Sequence, residues 1–163
     1  MELWDLYTES REPTGQNHIR GEQIPDGYYH LVVHVWIQNS KGEYLISQRA
    51  ASRPTIPLMW ECVGGSVLSG EPSLEGALRE AKEEVGIDLS ADSGRVIHAK
   101  TRKVYNDIVD VWLFRYNSDV SLRNATTDEV AQFQWMSPAQ IRELFDSGKL
   151  VKTLGYFFTE LEP

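Results

Sequence analysis

Apolar residues run almost unbroken through YYHLVVHVWIQN at 28–39, a stretch rich in β-branched and aromatic side chains. A half-exposed strand would alternate, so this run predicts a central strand covered on both faces. Shorter runs flank it. ELWDLYTES near the start reads as a strand, REPTG as a polar turn, and a short strand around 17–20 completes a hairpin. NSKGE at 39–43 is a turn before a partner strand, YLISQR at 44–49. AASRPTIP, with two prolines, is an irregular connection, and MWECV at 59–63 is another short strand. Further on, RVIHAKTRKVY, DIVDVWLFRYN and EVAQFQWM are all strand-like.

Two segments change period. In SPAQIRELFDSG, Ser137 stands at the N-cap, Pro138 at the first helical position and Gln140 completes a capping box, with Gly148 closing the helix. In GEPSLEGALREAKEEVGI at 70–87, Pro72 suits a first turn and Gly86 the left-handed position past the end. Leu74, Leu78, Ala81 and Val85 there form one apolar stripe. Strands outnumber helices without alternating regularly with them, which predicts an α/β (α+β) fold: a mixed β-sheet flanked by helices. No repeat, low-complexity stretch or linker interrupts the chain, so residues 1–163 are expected to form one domain, with the hairpin at about 1–24 as part of it.

The second helix is also an electrostatic anomaly. Residues 70–87 hold five glutamates against two basic residues, and like charges a turn apart destabilise a helix. Glu80, Glu83 and Glu84 fall within one arc at spacing i, i+3, i+4, close enough to converge on an ion. Arg79 lies outside that arc and forms an ordinary i, i+4 pair with Glu75. Carboxylates without imidazole or thiolate suit a hard cation, Mg²⁺ or Mn²⁺, and such a cation shares its coordination with substrate phosphates. The competing reading is a solvated helix face.

Composition narrows the field further. The net charge is −8 and the pI about 5.0, which argues against gripping a nucleic acid polymer by its backbone. Cys62 is the only cysteine, so neither a disulfide nor a cysteine-based zinc site can form within the chain. MELWDLYTES lacks the blocks of a signal peptide, and no apolar run approaches bilayer length. A cytoplasmic protein without membrane contact is expected.

From Gly65 the sequence reads Gly, five residues, Glu71, seven residues, Arg79-Glu80, Ala81, Lys82, Glu83-Glu84, Val85, Gly86, Ile87. This resembles the signature of the Nudix hydrolase superfamily at every fixed position, with Ala81 a small version of the usual apolar residue. The resemblance implies an α/β/α sandwich with a loop–helix–loop motif and hydrolysis of a diphosphate bond in a nucleoside-diphosphate-linked or related small substrate. It implies that Glu80, Glu83 and Glu84 are metal ligands, with the Gly65 carbonyl a fourth, and that Glu71 and Arg79 orient them. The general base is then Glu80 itself or a glutamate on a late loop, here Glu129. Arg49, at the end of a strand leading to the cleft, is a candidate phosphate contact, and Trp60 a candidate stacking wall for a base. Many relatives pair as homodimers.

The flanks, namely the 27–49 stretch, the preceding hairpin with PTG, and DEVAQFQW, look like the branch that contains isopentenyl-diphosphate isomerase. That raises an alternative chemistry, an allylic proton shift. The isomerases carry a cysteine just before the first glycine of the signature and a histidine just after it. Here those positions are Gly64 and Ser66, with Cys62 two residues early. His30 matches one isomerase metal ligand, while Gln23 stands where another would be. A non-catalytic nucleotide-binding module is a third alternative, which an intact signature disfavours.

Overall fold

A computed structural model describes residues 1–163. The central strand forms as expected: β3 (His30–Gln38) lies between β8 (Asp107–Arg115), parallel to it over its whole length, and β6 (Val63–Ser66), antiparallel to it. β7 (Gly94–Arg102) extends this wing beyond β8. The second wing consists of β4 (Tyr44–Arg49) between β5 (Trp60–Glu61) and β9 (Val130–Met136), all antiparallel. β3 and β4 meet only at Gln38 and Tyr44, so the mixed sheet opens into two splayed wings.

The continuity of the β3 run has a simple cause. Leu31, Val33, Val35 and Ile37 point toward helix α1 (Ser73–Val85), where Ala77, Ala81 and Val85 close one core. Trp36 points the other way, into a second core with Ile46, Val109, Val111 and Ile141 of helix α2 (Pro138–Asp146). A strand covered on both faces keeps little polar alternation. Helices on both faces of a mixed sheet make the α/β/α sandwich.

The punctuation of α2 is as its sequence reads: Ser137 caps it, the capping box with Gln140 is complete, and Gly148 follows with φ 72°. Gly86 ends α1 at φ 70°, and the Asn124 backbone lies so close that a Cβ there would overlap it. Two boundaries differ from the sequence reading. MWECV is two strands, β5 and the start of β6, and β6 carries the glycine pair Gly64–Gly65. The hairpin of β1 (Leu3–Tyr7) and β2 (Pro13–Ile19) turns earlier than REPTG, through residues 8–12, where Arg11 adopts φ 69°. Arg11 is held there by a bidentate ion pair to Asp110, which is buried.

The C-terminal segment carries no periodicity that marks an element in the sequence. A 3₁₀ turn (Lys152–Tyr156) and a π turn (Phe157–Leu161) lay Leu154 and Phe157 into the second core. Phe157 is fully buried, with its ring 4.8 Å from Trp36 and 5.0 Å from Tyr44. Phe157→Ala should therefore destabilise the protein by about 3–5 kcal/mol in chemical denaturation, the range for emptying a buried aromatic site.

Candidate active site

The acidic helix meets β6 at its glycine pair. Gly65 faces α1, and a Cβ there would overlap the Glu80 carboxylate. Gly64 faces the other way, where a Cβ would overlap the Val33 carbonyl and reach the His34 ring. Only a residue without a side chain lets the helix carboxylate come this close to the strand backbone.

Of the three signature carboxylates, Glu80 and Glu84 are buried and Glu83 is partly exposed. Arg79 is the centre of the network. Its Nε and Nη2 donate to the Glu71 carboxylate at 2.8 and 3.0 Å, Nη1 donates to Glu80 at 3.0 Å and Glu83 at 3.1 Å, and Nη2 also donates to the Ser66 carbonyl. The expected Glu75–Arg79 pair is absent. A helical wheel gives Cα directions only, and the long guanidinium stem carries the charge back to the loop before the helix.

The electrostatics follow from this arrangement. Burial pushes Glu71 up, but the Arg79 hydrogen bonds and the Leu68 N–H outweigh it and hold the carboxyl below its ordinary range. Burial dominates at Glu80: Arg79 offsets part of it, Glu83 and Glu129 add to it, and the group stands at about 7. Glu84 has no hydrogen-bond or ion-pair partner, and burial together with Glu80, Glu61 and Glu129 drives it well above the carboxylate range. A buried carboxylate without a partner is costly.

A loop delivers the remaining groups. Thr126 and Thr127 donate their backbone N–H groups to the Glu83 carbonyl at the end of α1, which fixes the approach to Glu129. Glu129 pairs with Arg53 at 2.8 Å, and both line a small cavity with Glu84, Ser47, Arg49 and Glu61. Arg49 thus reaches the site, but its Nη1 donates to both Glu61 oxygens, at 3.1 and 2.8 Å. Burial pushes Glu61 up, and those Arg49 bonds only partly offset the shift.

Trp60 is not brought to this cavity. Trp60 of β5 and Cys62 just after it pack on the second core, while Glu61 between them lines the cavity with Glu84, so the ring lies away from the carboxylates. Cys62 is buried in that core, and burial raises its thiol well above the ordinary value. Sequence reasoning missed Arg53 and Glu61. Strand alternation through Trp60-Glu61-Cys62 carried the signal for Glu61; Arg53 sits in an irregular loop, where no periodicity speaks.

The donor set suits a hard divalent cation: three glutamates of one helix and an adjacent glycine backbone, all oxygen. Burial disfavours the ionised form of Glu80 and Glu84, and such an ion would stabilise it. The side chains do not form a ready-made ligand group, however, because Arg79 occupies Glu80 and Glu83.

Residues 28–154 match the NUDIX domain, so the chain belongs to the Nudix family and is a hydrolase of that family. It is 38% identical over 161 residues to a Nudix hydrolase of Listeria monocytogenes, covering 97% of this chain and 91% of that one. It is 26% identical over 142 residues to an isopentenyl-diphosphate Delta-isomerase of Shigella boydii, covering 83% and 76% of the two chains. The fold is shared with a Deinococcus radiodurans crystal structure at TM-score 0.74 and 23% identity, over 92% of each chain. Nudix hydrolases generally use divalent metals. No helix is long and apolar enough to cross a membrane.

A pH prediction follows from the two buried carboxylates. Where the folded form retains protons that the unfolded form has released, stability falls as pH rises. Glu80 and Glu84 act in this sense from the ordinary value of 4.5 upward. His30 and His34, which burial lowers to about 4 and about 3 from 6.5, act oppositely below 6.5. The metal-free protein should therefore lose thermal stability above about pH 6.5. Glu84→Gln should flatten that slope, and millimolar Mg²⁺ should raise Tm more at alkaline than at acidic pH.

Proposed function

We propose that this protein is a metal-dependent hydrolase that cleaves a diphosphate bond in a nucleoside-diphosphate-linked or related small substrate. It would use Mg²⁺, with Mn²⁺ as substitute, in the cytoplasm. The observation that carries this reading is the Glu84 carboxylate, buried without a partner beside a Glu80 already raised to about 7. Burying two carboxyl groups side by side is sensible beside a divalent cation, which stabilises their ionised forms, and costly otherwise.

Glu80, Glu83, Glu84 and the Gly65 carbonyl would hold the cation. When bound, it draws charge from the diphosphate oxygens and makes a coordinated water more acidic. The side chains supply the rest. Glu71 keeps Arg79 at the head of the helix, and Arg79 steadies Glu80 and Glu83 until a ligand competes for them. A carboxylate oxygen of Glu80 or Glu129 accepts the proton of the attacking water. Arg53, ion-paired with Glu129 at the cavity, is placed to turn its charge toward a phosphate, whereas Arg49 is committed to Glu61.

The isomerase alternative lacks its thiol: Cys62 is buried in the opposite core, and Gly64 and Ser66 occupy the diagnostic positions.

A screen of diphosphate classes with Mg²⁺ and Mn²⁺, reading phosphate and pyrophosphate separately, should reveal hydrolysis. Glu83→Gln and Glu84→Gln should each lower kcat by about two orders of magnitude or more with the fold intact. Near-normal turnover in both would refute the assignment, and conversion of isopentenyl to dimethylallyl diphosphate would establish the alternative.

A further inference from the structure

The loop that leads from β6 into α1 turns at residues 68–71, where the Glu71 N–H donates to the Leu68 carbonyl at 3.0 Å. The two central residues of this turn, Ser69 and Gly70, have three donors between them, and all three go to β1 of the N-terminal hairpin. Ser69 N–H donates to the Leu3 carbonyl at 2.8 Å, Ser69 Oγ to Asp5 Oδ1 at 2.7 Å, and Gly70 N–H to Asp5 Oδ2 at 2.8 Å. Asn17 of β2 completes the set, its Nδ2 donating to both Asp5 Oδ1 and Ser69 Oγ at 2.7 Å. One carboxylate thus holds the turn by a side chain and by its central peptide.

That central peptide sets the form of the turn. Gly70 sits at φ 79°, the value a type II turn needs at its third residue, and a type I turn with the same ends carries the peptide the other way round. Glycine tolerates both. A flip would pull the Gly70 N–H off Asp5, so this charge-assisted bond favours one form. Glu71 depends on that form. Its Oε2 accepts from the Leu68 N–H across the turn at 2.9 Å and from Arg79 Nη2, while Oε1 accepts from Arg79 Nε. A connected path therefore runs from Asp5 through the turn to Glu71, to Arg79, and on to the Glu80 and Glu83 carboxylates.

The hairpin has other means of staying in place. Trp4 and Leu6 are buried, the Trp4 ring stacks on His30 at 3.9 Å, and Tyr7 and Tyr29 exchange backbone hydrogen bonds at 2.8 and 2.9 Å. Asp5, which alternates with Trp4 and Leu6 along β1, reaches the turn instead.

We propose that Asp5 is a positioning residue of the active site. By holding the 68–71 turn in one form it fixes Glu71 and Arg79, and through them, on the hydrolase reading above, the carboxylates that take the metal.

Arginine labelled with ¹⁵N reports the first link without metal or turnover. In chelator-treated protein the Arg79 Nε–H should exchange with solvent about tenfold or more faster in Asp5→Ala than in the parent, because exchange follows local opening. The Arg102 Nε–H, bonded at 2.7 Å to Asp107 beside His30, should keep its rate; a general loss of stability or a loosened hairpin would quicken both. Asp5→Asn, which keeps one accepting oxygen, should show the same change at smaller amplitude, and it decides the matter should Asp5→Ala fail to fold. The second link is read by titrating metal-free protein with Mn²⁺ and following electron paramagnetic resonance. Affinity should fall by about tenfold or more in Asp5→Ala, as it does when groups that orient metal ligands are removed. Equal Arg79 rates in the parent and both variants, a rise shared by Arg102, or unchanged Mn²⁺ affinity would overturn the proposal. No Mn²⁺ binding by the parent would instead refute the metal-dependent reading and leave the hold of Asp5 on Glu71 and Arg79 to the exchange rates.

Discussion

The close approach of Glu80 to the backbone of Gly65 is the contact on which the site is built. It brings a helix carboxylate against a strand with no side chain between them, which forces Glu80, and Glu84 one turn later, out of water. One guanidinium must then serve Glu71, Glu80 and Glu83 together. Arg79 leaves Glu84 unattended because it has no donors left and lies a turn away. The acidic surplus is thus a property of the packing, and any cation that binds there also completes the fold.

Much of this architecture was legible in the sequence because strong periodicities and unambiguous punctuation encode it. The doubly covered β3 needs apolar residues in both registers, and its composition says so. The caps of α2 depend on residues whose local hydrogen bonds are nearly independent of tertiary context. The spacing of Glu80, Glu83 and Glu84 also sets which carboxylates share a face, whatever the helix packs against.

The rest depends on long-range geometry. A helical wheel placed Arg79 outside the acidic arc, but side-chain length decided its partners. Trp60 packs on the second core, and its strand neighbour Glu61 is the side chain that lines the cavity with Glu84. Arg53 and the C-terminal turns carry no period at all. Only the folded chain shows that the first meets Glu129 and that the second, through Phe157 and Tyr156, closes the opposite core and braces His34.

Arg11 gives the N-terminal hairpin an electrostatic role beside its packing, in which Trp4 stacks on His30 of the central strand. The match to the NUDIX domain begins at residue 28, after the hairpin has ended. Yet Arg11, in a left-handed conformation at the turn, supplies the countercharge to the buried Asp110, which also accepts from Ser73 Oγ at the first residue of α1. A chain trimmed to the matched boundary would therefore leave a buried carboxyl group without its guanidinium partner at the very place where the acidic helix begins. The domain as drawn by similarity is smaller than the unit that is electrically neutralised.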